Sequence, residues 1–294
     1  MTDQATTHPL PPGVLHVRCD NPSAMTLSGT NSYVITRADG VADGGERALV
    51  IDPGPDEHGH VGALVDALRG VSNVDVLLTH HHDDHEGGAA RLVELLSEAG
   101  GSARVWGGDQ GIPLVDGQIF DDVQVVFAPG HTADSVGYVL ERDGDVVLFS
   151  GDTLLGGSSS FIAHPDGDLT DYLVTLDVLE AALEATPGAV LAPGHGDVGG
   201  DALAVIDAYR HHRDERLDEV LAALAQAPSD ADDAARVDAV IDGVYGGVDA
   251  ARVHLAQVLA RLPQTPRQLH GACRLDDGDQ RPAEAGTALR RRGG

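Results

Sequence analysis

Short runs of apolar residues, each stopped by a polar, proline or glycine position, dominate the first two thirds of the chain. They predict strands at residues 15–17, 31–36, 48–51, 74–78, 123–127, 136–140, 146–149 and 189–191. Between them the spacing changes to a helical one. Val61, Leu64, Val65 and Leu68 share a face in 58–68, Leu92, Leu95 and Leu96 in 89–99, and Tyr172, Leu173, Leu176 and Leu179 in 169–185. Adjacent strand pairs broken by single helices predict two mixed sheets packed together with helices outside, an α+β arrangement. A regular doubly wound sheet would have no reason for the strand pairs. After residue 200 the pattern turns helical at 201–225, 237–245 and 250–262, with a short hairpin expected from 269 to 275. A separate C-terminal unit is expected from near residue 211, and three helices with a hairpin fit a winged-helix arrangement. Residues 1–12 read as a loose arm.

The strand ends carry the chemistry. The run Val74-Asp75-Val76-Leu77-Leu78 leads into Thr79-His80-His81-His82-Asp83-Asp84-His85. Later runs lead into Pro129-Gly130-His131, Gly151-Asp152-Thr153 and Pro193-Gly194-His195-Gly196. His80 and His82 lie two apart, which puts both rings on one side of extended backbone. Asp84 and His85 follow where the chain curls into a helix beside Gly87-Gly88. One pair can hold one ion and the second pair another. Imidazole nitrogens suit Zn²⁺, with Mn²⁺ or Fe²⁺ as alternatives. Asp152, with two carboxylate oxygens, can bridge two ions about 3.5–4 Å apart that share a hydroxide. His81 and Asp83 alternate away from these ligands. Asp52 also ends a strand, and either hydrogen-bonds a ligand histidine from behind or caps its own turn. His58, His60, His164, His211 and His212 have no comparable setting.

Composition narrows the chemistry. The chain has 294 residues, 42% of them hydrophobic and 3% aromatic, so its packing rests on Leu, Val and Ala. It contains no lysine, which excludes Schiff-base and lysine-nucleophile mechanisms. Its net charge is −28, of which the first 210 residues hold −25. That field repels polyanions and argues against a general nucleic-acid-binding surface, although bound divalent ions change the potential locally. Cys19 and Cys273 imply neither a disulfide framework nor a metal motif, which leaves nitrogen and oxygen ligands. No stretch reads as a leader or a membrane span, and the expected location is cytoplasmic.

At this point the sequence resembles the metallo-β-lactamase superfamily, whose signature His-x-His-x-Asp-His stands here as His80, His82, Asp84 and His85. The resemblance implies an αββα sandwich across residues 13–210. It also implies a first zinc on His80, His82 and His131, a second on Asp84, His85 and His195, and Asp152 bridging them. Asp84 and Asp152 then carry the catalytic roles, Asp84 orienting the hydroxide. A narrower likeness is to the branch named after the human lactamase-beta-like protein two. It rests on NPSAMTLSGTNSY at 21–33, GDTLLG at 151–156, PGHG at 193–196 and YRHHRDER at 209–216. That branch carries a winged-helix-like C-terminal domain, expected here at 211–285. Its best-known animal member is an endoribonuclease on single-stranded RNA. The branch's Gly-Thr-Thr is replaced here by Ser158-Ser159-Ser160.

The expected activity is therefore hydrolysis of a small ester or thioester, or of a phosphodiester in single-stranded RNA. A thioesterase like glyoxalase II shares the ligands, but its family follows the last histidine with Glu or Thr and then Tyr. Here Gly196-Asp197-Val198 follow. An inserted β-CASP domain is excluded by the short connection after His195. DNA regulation is not expected, because 237–262 offers Arg252 and Arg261 against Asp238, Asp242 and Asp249. The C-terminal unit is expected to wall the site or to form a homodimer.

Overall fold

The computed structural model describes residues 10–36, 47–183 and 188–226, with isolated positions between 235 and 244. Strands β1 (Val14–Arg18), β2 (Asn31–Ile35), β3 (Arg47–Ile51), β4 (Asn73–Leu77) and β5 (Ser102–Trp106) form one sheet in that order. The first three are antiparallel neighbours; β3, β4 and β5 run parallel. Strands β6 (Ile119–Phe120), β7 (Val123–Phe127), β8 (Val136–Arg142), β9 (Asp145–Gly151) and β10 (Val190–Pro193) form the second, ordered β10-β9-β8-β7-β6. Its only parallel pair is β9 with β10.

Alternate residues of each strand face opposite layers, and both layers are apolar. In β3, Leu49 and Ile51 join Tyr33, Leu77, Tyr138 and Phe149 between the sheets. Ala48 and Val50 instead pack under Val61 and Leu64 of α1 (His58–Ala67) and Leu92 and Leu96 of α3 (Ala89–Glu98). In β9, Val147 and Phe149 face the other sheet. Val146 and Leu148 pack under Leu176 and Leu179 of α4 (Leu169–Leu183) and Ile206 of α5 (Ala202–Gln226). The result is helix, sheet, sheet, helix. Strands covered on both faces need apolar residues at every position, which is why they read as unbroken runs.

Two strands escape the sequence pattern. In β5, Arg104 and Trp106 are both donors to the buried Asp75 of β4, so an edge strand carries a charge where an apolar residue is expected. The other, β6, has two residues, with Ile119 exposed. α5 runs unbroken past residue 211 to Gln226. The chain divides into two compact units, residues 1–222 and 223–294. Apart from isolated positions in 237–245, the helices expected at 237–245 and 250–262, the hairpin at 269–275, most of the winged-helix-like domain at 211–285 and the arm before residue 10 lie outside the described residues. Among the described residues, no helix is long and apolar enough to cross a membrane.

Three ties bring the ends of β2, β4, β8 and β10 to one edge. Asn31 donates from Nδ2 to the carbonyls of Pro193 and Gly196, both at 3.0 Å. Tyr33 donates its hydroxyl to Pro193 at 2.7 Å, and Tyr138 donates to the carbonyl of Leu78 at 2.6 Å.

Candidate metal centre

Four strand ends meet at this edge. β4 runs out through Thr79 to His80, and His82 stands before α2 (Asp83–Glu86), the single turn that carries Asp84 and His85. β7 leads to His131, β9 to Asp152 and β10 to His195. Because β9 and β10 are parallel, with Pro193 opposite Gly151, Asp152 and His195 emerge side by side. Gly194 permits the approach: a β-carbon there would lie 2.6 Å from both Asp152 Oδ1 and His85 Cε1.

All seven residues singled out in the sequence come together, in overlapping groups. His82 Nδ1 lies 2.9 Å from His80 Nε2 and 3.3 Å from His131 Nε2. His195 Nε2 lies 3.2 Å from His85 Nε2 and 3.2 Å from Asp84 Oδ2. Asp152 stands between them, Oδ1 at 3.3 Å from His85 Nε2 and 3.4 Å from His195 Nε2, and Oδ2 at 3.7 Å from His131 Nε2. His80, His82 and His131 can hold one cation, and Asp84, His85 and His195 another. His81 faces Asp134 at 2.8 Å and Asp166 at 3.5 Å.

The groups behind the rings fix which nitrogens face inward. Asp52, whose oxygens accept from the Thr79 N–H and hydroxyl at 2.7 Å each, also accepts from His85 Nδ1 at 2.8 Å. With its own hydrogen committed to Asp52, Thr79 Oγ1 accepts from His80 Nδ1 at 3.0 Å. His131 Nδ1 donates to the Phe161 carbonyl at 2.6 Å, and His195 Nδ1 to the Gly29 carbonyl at 3.4 Å. In the neutral rings every Nε2 of His80, His85, His131 and His195 is then a lone pair aimed at the centre. Asp152 Oδ1 is buried there with no hydrogen-bond partner. Converging lone pairs around an orphaned carboxylate oxygen repel one another unless a positive charge sits among them, so the donor set fits two bound cations. Asp52 thus takes the first of its two expected roles, behind His85.

Protonation follows the same logic. Burial acts to raise the Asp152 carboxyl, but His85 and His195 hold it well below the usual carboxylate range. Burial opposes charge on His85, yet Asp152 and Asp52 hold that ring well above the usual imidazole value. His195, against the same penalty, is pushed up to about 9 by the neighbouring carboxylates of Asp152 and Asp84. His80, His82 and His131 go the other way, lowered first by burial. One half of the site favours neutral imidazoles. The other attracts positive charge, as protons or as an ion.

Apart from Asp52, sequence reasoning missed the supports. Thr79, immediately before His80, could have been found from its hydroxyl. The carbonyls of Phe161 and Gly29 could not, since a backbone acceptor leaves no mark on residue type. The loop 21–30 that delivers Gly29 is held by its own polar side chains: Asn21 Oδ1 accepts from Thr30 N at 2.8 Å and Ser23 Oγ from Thr26 N at 3.0 Å. That accounts for the polar character of the 21–33 stretch.

Fold and site together define a metal-dependent hydrolase with the αββα sandwich. The chain belongs to the metallo-beta-lactamase superfamily, whose family model matches residues 25–195. It is 31% identical over 240 residues to the Beta-lactamase-like protein 2 homolog of Drosophila melanogaster, covering 74% of this chain and 75% of that protein. It is 32% identical over 226 residues to the Atrochrysone carboxyl ACP thioesterase nsrC of Aspergillus novofumigatus, covering 74% of this chain and 64% of that protein. Other curated relatives are matched over 62% to 80% of their length. A solved beta-lactamase domain protein from Burkholderia ambifaria shares the fold, with TM-score 0.64 at 22% identity over 87% of this chain and 92% of that one.

Proposed function

We propose that the chain is a two-zinc hydrolase of uncharged carbonyl substrates, esters or thioesters, with Mn²⁺ or Fe²⁺ as alternative ions. In this reading His80, His82 and His131 hold one ion, Asp84, His85 and His195 the second, and Asp152 both. Bound there, the pair supplies Lewis acidity toward a carbonyl oxygen and a water acidified toward neutrality. Asp52 and Thr79 keep the ligand rings in the required tautomer. Asp84, partly exposed, would accept a hydrogen bond from the attacking water and orient it. The convergence of Nε2 lone pairs on an unpartnered Asp152 oxygen carries the proposal.

The surroundings favour an uncharged substrate. Asp134 and Asp166 flank His81, the neighbour of His80 and His82. Arg47, Arg69, Arg91, Arg104, Arg142 and Arg210 each face a carboxylate, which occupies charge that a polyanion would need. The name of the thioesterase relative supports a thioester. The second reading, cleavage of single-stranded RNA, rests on the resemblance to the lactamase-beta-like protein two branch, and the name of the Drosophila relative favours that branch. With the branch comes the division into a catalytic domain at 13–210 and a winged-helix-like domain at 211–285.

Protein purified without chelator should carry close to two metal equivalents by elemental analysis; a value near zero in active protein would sink the two-ion reading. The loaded enzyme should hydrolyse an S-acyl pantetheine and leave an unstructured oligoribonucleotide intact. The reverse result would replace the ester reading with the ribonuclease one.

A further inference from the structure

The YRHHRDER stretch on α5 has no task in the chemistry above, although it lies close behind the site. Tyr209 and Arg213 are one helical turn apart and share a face. The Tyr209 hydroxyl accepts from the Leu155 N–H at 2.8 Å and donates to the Ser158 carbonyl. Arg213 donates to the Ser160 carbonyl at 2.6 Å, with its guanidinium 5.1 Å from the centre of the Tyr172 ring. Tyr172, on α4, donates its own hydroxyl to the Thr153 carbonyl at 2.6 Å. Four main-chain groups of the segment that follows Asp152 are thus gripped from behind by two helices. Arg213 differs from its neighbours on α5: Arg210 and Arg216 meet carboxylates, whereas Arg213 meets a backbone carbonyl and an aromatic face.

The same segment reaches inward to the ligands. Ser160 Oγ donates to the Asp152 carbonyl at 2.6 Å, and the next carbonyl, Phe161, is the acceptor that orients His131. Residues 157–161 are in neither a strand nor a helix. A loop of that kind keeps a carbonyl aimed at an imidazole only if something else holds it. We propose that Tyr209 and Arg213 are positioning residues of the metal centre: through loop 157–161 they aim His131 Nε2 and the Asp152 carboxylate at the ions. The inference rests on the two-ion reading.

Cobalt(II) tests it by two readouts, affinity and the visible ligand-field spectrum. The metal-free full-length chain is titrated with cobalt(II) in competition with a chromophoric chelator. Tyr209→Phe and Arg213→Gln should each weaken cobalt binding, most at the equivalent that His131 holds and by up to the roughly 10–100-fold that loss of an outer hydrogen bond to a ligand costs, and shift the absorption bands. Arg213→Lys, which keeps charge and donor, should recover most of the affinity. Arg210→Gln breaks an ion pair on the same helix without touching the loop, and should bind cobalt as wild type does. The inference is overturned if both substitutions at 209 and 213 leave affinity and spectrum unchanged. It is overturned equally if Arg210→Gln weakens binding as much as they do, since the effect would then be general loss of helix stability. Should Tyr209→Phe fail to fold, the Gln and Lys variants at 213 decide. Wild-type protein that takes up no cobalt would instead remove the two-ion reading itself.

Discussion

Asp152 lies within 3.3–3.7 Å of His85, His195 and His131, and these neighbours divide between the two candidate ions. Asp152→Asn should therefore weaken both ions together in a competition titration, because one shared negative charge is removed; loss of one ion alone would contradict a bridging role. His60 shows the opposite case, a buried histidine outside the centre. Its Nε2 meets Ser32 Oγ at 2.8 Å, its Nδ1 has no partner, and burial lowers its pKa although Glu57 pulls it up. The folded state therefore prefers the neutral ring, while in the unfolded chain it titrates near its ordinary value of about 6.5. Its contribution to stability is present above that value and is lost as the pH falls toward the lowered folded one. The stability advantage of wild type over His60→Gln should thus shrink between pH 7.5 and pH 5.5 in urea unfolding. An advantage that stays constant would mean His60 does not titrate differently on folding. Residues of this kind were partly legible. The seven side chains that meet at the centre each follow an apolar run in the sequence, and so does Asp52. What orients the rings of His131 and His195 is main chain, which residue identity does not encode.

Elements were legible where both faces of a strand are apolar, as in β3 and β9, and illegible where a buried acid dictates the neighbour. Asp75 sits in β4 with an exposure of 1%, and the residues that satisfy it, Arg104 and Trp106, give β5 a sequence without a strand signature. The meeting of β2 with β10 across the two sheets was likewise unreadable, since it joins positions more than 160 apart in the chain. Asn31 makes that junction. Its side chain donates to both carbonyls flanking the turn that presents His195, and its Oδ1 lies 2.7 Å from His16 Nε2. Asn31→Ala leaves the buried Gly196 carbonyl without this donor, at a cost of about 1–3 kcal/mol if water does not replace it, while the Pro193 carbonyl keeps the Tyr33 hydroxyl. The urea midpoint should fall accordingly, with metal affinity falling too because the turn carrying His195 is released. A stability loss with unchanged metal binding would show that the turn is held by Tyr33 and the backbone alone.

For the whole molecule the dominant quantity is charge: −28 over the chain, with the first 210 residues holding 33 acids against 8 arginines. Composition alone shows the imbalance, but the sequence does not reveal that most described arginines are already engaged in ion pairs. Two opposing effects of salt follow. Screening weakens the arginine–carboxylate pairs, most of them at least half exposed on one side and worth little individually. It also weakens repulsion among the many unpaired acids, which acts over longer distances and so is screened first. Raising ionic strength from about 10 mM to about 150 mM shortens the screening length from about 30 Å to about 8 Å. That spares a contact pair at 3 Å but removes most repulsion between acids on separate elements. The thermal midpoint of the full chain should therefore rise with sodium chloride over this range. Turnover of an uncharged thioester at low substrate should stay flat, because no long-range field acts on a neutral molecule. A ribonuclease would behave differently, gaining rate with salt as its polyanionic substrate is repelled less. A midpoint that falls with salt would mean the paired arginines outweigh the field. Thioester turnover that tracks salt at constant stability would mean the substrate carries charge.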